Sequence, residues 1–112
     1  MSVSFNGFNE NTATFKANEE IANGAPVNMI ESNTVSACKN GDNFCGFAIE
    51  CSGGYASVQL SGTVTAVYSG TAPELGYSKL VSDGTGVKAA DAGREYLVFA
   101  VDETKKTVTF LM

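Results

Sequence analysis

From residue 21 onward, apolar and polar positions alternate with a period of two, the pattern of strands that bury one face. Val27 and Met29 flank Asn28, and Val35 and Ala37 flank Ser36. Cys45, Phe47, Ile49 and Cys51 fall on one face, with Gly46, Ala48 and Glu50 on the other. The clearest segment is 55–68. Val58, Leu60, Val64, Ala66 and Tyr68 share a face there, while Ser57, Gln59, Ser61, Thr63 and Thr65 form a wet one. Gly62 in its middle predicts a bulge or bend. Leu97, Phe99 and Val101 mark a further strand, and 107–112 the last. Turn chemistry fills the gaps at Asn40-Gly41-Asp42, Ser52-Gly53-Gly54, Ser69-Gly70 and Asp83-Gly84. No stretch of ten residues has a helical period; a short turn over 89–93 is the most that the pattern allows.

Residues 1–20 differ. They are polar and Asn-rich, punctuated by Phe5, Phe8 and Phe15. This reads as an extended N-terminal arm, and its aromatics need a surface on which to dock, on the domain itself or on a neighbour. The expected organisation is an arm over 1–20 and one domain over 21–112. Phe5, Phe8 and Phe15 are the candidate partner-binding residues.

The pattern also repeats. Shifting residues 23–60 by 52 positions lays them on 75–112 without a gap. Gly24 then falls on Gly76, Val35 on Val87, Ala37 on Ala89, Gly41 on Gly93, Phe47 on Phe99 and Ala48 on Ala100. One reading is convergence of small β-units on similar patterns. The other is a duplicated three- or four-strand unit, two copies of which wrap into one small barrel or sandwich. The fold class is all-β on either reading.

Length and charge narrow the functions. At 112 residues the chain fits one domain able to bury a core. Its net charge of −5 is spread along the chain and disfavours contact with phosphate backbones, so no nucleic-acid partner is expected. The Lys105-Lys106 pair follows Asp102-Glu103 and reads as a solvated turn. The first fifteen residues lack the basic and apolar regions of a signal peptide, and no apolar run is long enough to span a bilayer. Synthesis in a cytosol, with Cys38, Cys45 and Cys51 as free and mostly buried thiols, is the expectation.

Candidate chemistry is sparse. With no His, the commonest general base and metal ligand are missing. The cysteines lack zinc-ligand spacing, and no phosphate-binding loop is present; the glycines at 84 and 86 precede no helix. Glu19-Glu20 and Asp102-Glu103 are adjacent on extended chain and so point to opposite faces, which suits no shared acid–base site. Asp83-Gly84-Thr85-Gly86 is better read as a turn than as a cation site. Neither enzyme activity, nor a metal, nor a cofactor is expected. What remains is binding surface.

Two stretches carry a resemblance. The first runs Gly24-Ala25-Pro26-Val27, Thr34-Val35-Ser36-Ala37, Asn40-Gly41-Asp42 and Phe44-Cys45-Gly46-Phe47-Ala48-Ile49. The second, Val58-Gln59-Leu60-Ser61-Gly62-Thr63, follows directly. Their order resembles the small capsid decoration (head-stabilising) proteins of tailed phages and prophages, over about 21–68 with an echo to 112. The motifs are short and apolar, and no diagnostic capsid-binding signature accompanies them. The resemblance implies a small barrel that cements a capsid lattice. It also implies the major capsid protein as partner, self-association as trimers or binding as monomers at symmetry points, and no cofactor. The protein would then be made in the host cytoplasm and end on the virion surface. The alternative is a carbohydrate- or peptide-binding β-module of a phage or cell-surface structure, using Tyr55, Tyr68, Tyr77 and Tyr96 as stacking surfaces, although stacking sites favour Trp and the chain has none. A third reading is a cytosolic subunit that only self-associates.

Overall fold

The alternation resolves into ten strands in the computed structural model, which describes residues 11–112 and has no helix among them. Strands β1 (Asn11–Ala17), β2 (Pro26–Glu31), β3 (Thr34–Ala37), β4 (Gly46–Ser52) and β5 (Tyr55–Ser61) form a closed barrel in the order β1-β3-β2-β4-β5. Strands β6 (Thr63–Val67), β7 (Gly76–Ser82), β8 (Val87–Ala89), β9 (Arg94–Asp102) and β10 (Thr107–Leu111) form a second sheet, ordered β6-β10-β9-β7-β8. The all-β small-barrel class expected from the pattern is the observed one. The long alternating segment 55–68 is divided at Gly62, whose φ of 100° suits glycine alone, so that β5 lies in the barrel and β6 in the second sheet.

The two five-strand units share one strand order. In the first, β1 pairs antiparallel with β5 and parallel with β3, and Ala17 sits opposite Val35. In the second, β6 pairs antiparallel with β10, and Tyr68, just past its end, bridges Val87 of β8 in parallel. The hairpins correspond too. Ala48 faces Val58 as Val98 faces Phe110, and each hairpin carries a bulge, at Ile49 in one and Phe99 in the other. The repeat is therefore a five-strand unit, larger than the sequence pattern indicated.

This register corrects one detail. Strand β4 turns into β5 through Gly53-Gly54, with Ser52 opposite Tyr55, whereas Asp102 and Thr107 enclose four turn residues. A gap-free shift is right for β5 and β10 and two residues out for β4 and β9. Phe47, opposite Gln59, corresponds to Leu97, opposite Leu111; Phe99 corresponds to Ile49. The bulge also splits the face expected for Cys45, Phe47, Ile49 and Cys51. Phe47 joins the core of the second unit, the two thiols pack against the barrel interior, and Ile49 is 46% exposed.

Each unit has its own core. The barrel encloses Ile21, Val27, Val35, Ala48, Ala56 and Val58. The second core holds Val64, Ala66, Tyr68, Leu80, Val87, Tyr96, Val98, Val108 and Phe110, together with Cys38, Phe44 and Phe47 from the first unit. Phe44 arrives on the β3–β4 loop, which clips to β7 by two backbone bonds of 2.8 Å, Gly41 N to Ser82 O and Ser82 N to Asp42 O. Its ring stacks on Tyr96 with centroids 5.2 Å apart.

The end of the expected arm lies elsewhere than at residue 20. Residues 11–17 form β1, inserted between β3 and β5 as the strand that closes the barrel. Ala13, Phe15 and Ala17 alternate with exposed Thr12, Thr14 and Lys16. Two of the three inward residues are alanines, which carry little apolar signal in a sequence yet suit a narrow barrel.

Candidate interaction surface

Of the three candidate docking aromatics, Phe5 and Phe8 lie outside the described residues. Phe15 is half-buried, faces Ala56 across β1 and β5, and packs against the barrel core. It is thus part of the domain's own wall.

The cysteines are free, and Cys38 is the buried one, while Cys45 and Cys51 are half-buried. Burial, reinforced by the nearby charge of Asp42, pushes the Cys38 thiol up to about 12. Burial also raises Cys45 against the opposing effect of backbone hydrogen bonds. Both remain neutral thiols at pH 7 and are poor nucleophiles.

The carboxylates serve the backbone. Burial of Asp83 opposes its ionisation, but hydrogen bonds from Gly86 N–H, the Ser69 side chain and Thr85 outweigh this and hold its pKa below the ordinary value. Asp83 Oδ1 accepts from Gly86 N at 2.6 Å and Thr85 N at 2.9 Å, closing the β7–β8 loop. Asp102 Oδ1 accepts from Thr104 N and Lys105 N, both at 3.0 Å, in the exposed turn before β10. Among the described residues, no three Cys, Asp or Glu side chains converge as a metal site would require. An open groove of about 260 Å³ lies between residues 17–20 and the β4–β5 turn, with Glu19 and Glu20 on its wall. Glu19 is held there by Ser36, whose Oγ donates to Oε1 at 2.7 Å.

The tyrosines separate into two pairs. Tyr68 and Tyr96 are buried in the second core and offer no stacking face to a ligand. Tyr55 is 55% and Tyr77 73% exposed, one on each unit.

Cross-strand register reveals a surface that the sequence pattern did not. Tyr77 faces Leu97, Leu97 faces Leu111, and Leu111 faces Thr63, across β7, β9, β10 and β6 in turn. Their neighbours Tyr96, Val98 and Phe110 are buried, so this row lies on the outer face of the second sheet. Leu75, two residues before Tyr77, is 67% exposed. Charged and polar pairs bound the row: Lys79 faces Glu95 on one side, and the hydroxyls of Thr65 and Thr109 meet at 2.9 Å on the other. The available signal was Leu97 between buried Tyr96 and Val98, but without the bulge at Phe99 the inward side of β9 is ambiguous. The chain matches no family model, no curated protein and no solved structure.

Proposed function

We propose that this protein is a non-catalytic structural module that coats a capsid lattice, meeting its partner through the outer face of the second unit. The observation that carries the surface is the row in which half-buried Leu111 and Leu97 run into exposed Tyr77 and Leu75 on the outer face of the second sheet. Apolar residues lined up across strands make a flat, complementary patch that gains free energy when covered. The capsid as partner rests on the resemblance of residues 21–68 to phage decoration proteins. The acidic surface suits a particle exterior, where it favours solubility and keeps the protein off packaged DNA.

Co-sedimentation with undecorated capsids tests this. Leu75 and Tyr77 are exposed, so L75S together with Y77S should leave the circular dichroism spectrum unchanged and reduce capsid occupancy at least tenfold. Full occupancy by the folded double variant would remove this face from the contact. A carbohydrate- or peptide-binding module is the second reading, favoured by the exposure of Tyr55 and Tyr77. A glycan or peptide array bound by wild type and lost in Y55A or Y77A would select it.

A further inference from the structure

Among the described residues, asparagine precedes glycine twice, at Asn23-Gly24 and Asn40-Gly41, and all four residues are exposed. Asparagine is chemically labile, most of all before glycine, which has no side chain to hinder attack on the neighbouring carboxamide. The glycine nitrogen loses its proton and attacks the asparagine Cγ. An N–Cγ bond forms, the Cγ–Nδ2 bond breaks, and ammonia leaves. Water then opens the resulting succinimide to aspartate or isoaspartate. In this fold both nucleophiles are occupied: Gly24 N donates to Ala48 O at 2.6 Å, and Gly41 N donates to Ser82 O at 2.8 Å. An amide so bonded keeps its proton and is aimed at another strand, so cyclisation waits until the hydrogen bond opens.

The two bonds differ in what has to open. Ala48 is buried in the barrel wall, and its own N–H returns to Ala25 O at 2.9 Å, so freeing Gly24 parts the chain before β2 from β4. Gly41 belongs instead to the clip between the β3–β4 loop and β7, in an exposed turn where Asp42 Oδ2 accepts from Lys39 N at 3.0 Å. We propose that Asn40 is a deamidation site gated by this clip, and that its conversion loosens the joint between the two units in one direction only. Isoaspartate inserts an extra carbon into the backbone between residues 40 and 41. Gly41 N and Asp42 O then no longer match the two backbone groups of Ser82, on the loop that delivers Phe44 to the second core. This holds whatever surface the protein uses for binding.

The test is site-resolved peptide mapping of the full chain kept in mildly alkaline buffer, folded and in urea, for wild type and D42A. In urea, Asn23 and Asn40 should convert at similar rates. In the folded chain both should slow at least tenfold, with Asn40 the faster. D42A should speed Asn40 at least threefold in the folded chain, leave Asn23 unchanged, and alter neither rate in urea. Protein carrying isoaspartate at position 40, separated by chromatography, should exchange the Ser82 amide hydrogen faster than wild type. Conversion of Asn40 as fast in the folded chain as in urea would overturn the proposal. So would a folded D42A chain with no gain in rate at Asn40, or converted protein whose Ser82 amide stays fully protected.

Discussion

The two five-strand units have the same strand order and are filled differently. The first encloses valines, alanines and one isoleucine, and it closes through the parallel pairs Lys16–Thr34 and Ala17–Val35. The second encloses Phe44, Phe47, Tyr96 and Phe110, with the Phe44 ring centroid 5.0 Å to 6.1 Å from the other three. Its edges meet at the single bridge between Tyr68 and Val87. A five-strand barrel has room for small side chains only, so one filled with aromatic rings has to stay wider. Part of that filling is borrowed. Cys38 and Phe44 come from the β3–β4 loop, and Phe47 from the outer face of β4. The counterpart loop between β8 and β9 is shorter, spanning only residues 90–93. One unit is self-contained, and the other is completed by its neighbour.

The largest effect should come from opening the self-contained unit. Deleting residues 1–15 removes most of β1, including Phe15 and every β5 partner except Lys16, and leaves the edge of β5 unpaired. We expect loss of the cooperative unfolding transition, an effect on the scale of a whole domain's stability, about 5–15 kcal/mol. Deleting only residues 1–10 should keep the transition in circular dichroism melts. If the shorter chain lacking β1 still melts cooperatively at the wild-type temperature, β1 does not close the barrel.

The next two predictions probe the borrowed core. F47A should cost about 3–5 kcal/mol in denaturant unfolding, because it empties a buried site shared by both units. F99A, at the part-buried bulge, should cost roughly 1–2 kcal/mol. Equal costs would restore the gap-free equivalence of the two positions. A cost below that of F47A, about 1–3 kcal/mol, is expected for G46A. A Cβ there would run into the Gln59 carbonyl oxygen and lie 2.6 Å from Val58 Cγ1, where β4 passes β5 between the two cores. A neutral G46A variant would show that this wall yields.

The smallest effect concerns the β7–β8 loop. D83N should cost about 1 kcal/mol, because the carboxylate accepts several loop hydrogen bonds. Its folded pKa is depressed, so the contribution is fully present above the ordinary aspartate value of 3.8 and is lost as pH falls through the lower folded value. Wild type and D83N should therefore converge in stability once the pH lies below the depressed folded value of Asp83. A difference that persists unchanged at that pH would assign the effect to something other than ionisation.

Much of this was legible in the chain itself. The period of two, the Gly-rich turns and the break at Gly62 specify an all-β protein, because side-chain alternation is a local property of extended backbone. The matches of Val35 with Val87 and Ala37 with Ala89 hold in the structure: both valines are fully buried, and the alanines face Val27 and Leu80. Three things were decided only in three dimensions. β1 became a wall of the barrel because its inward residues, two alanines around half-buried Phe15, fit a narrow interior while giving the sequence little apolar signal. Phe47 lost its apparent partner because a turn two residues longer shifts the register without leaving a local mark. The outer apolar row exists because four strands distant in sequence align Tyr77, Leu97, Leu111 and Thr63, and cross-strand register depends on bulges and turn lengths that no single segment encodes.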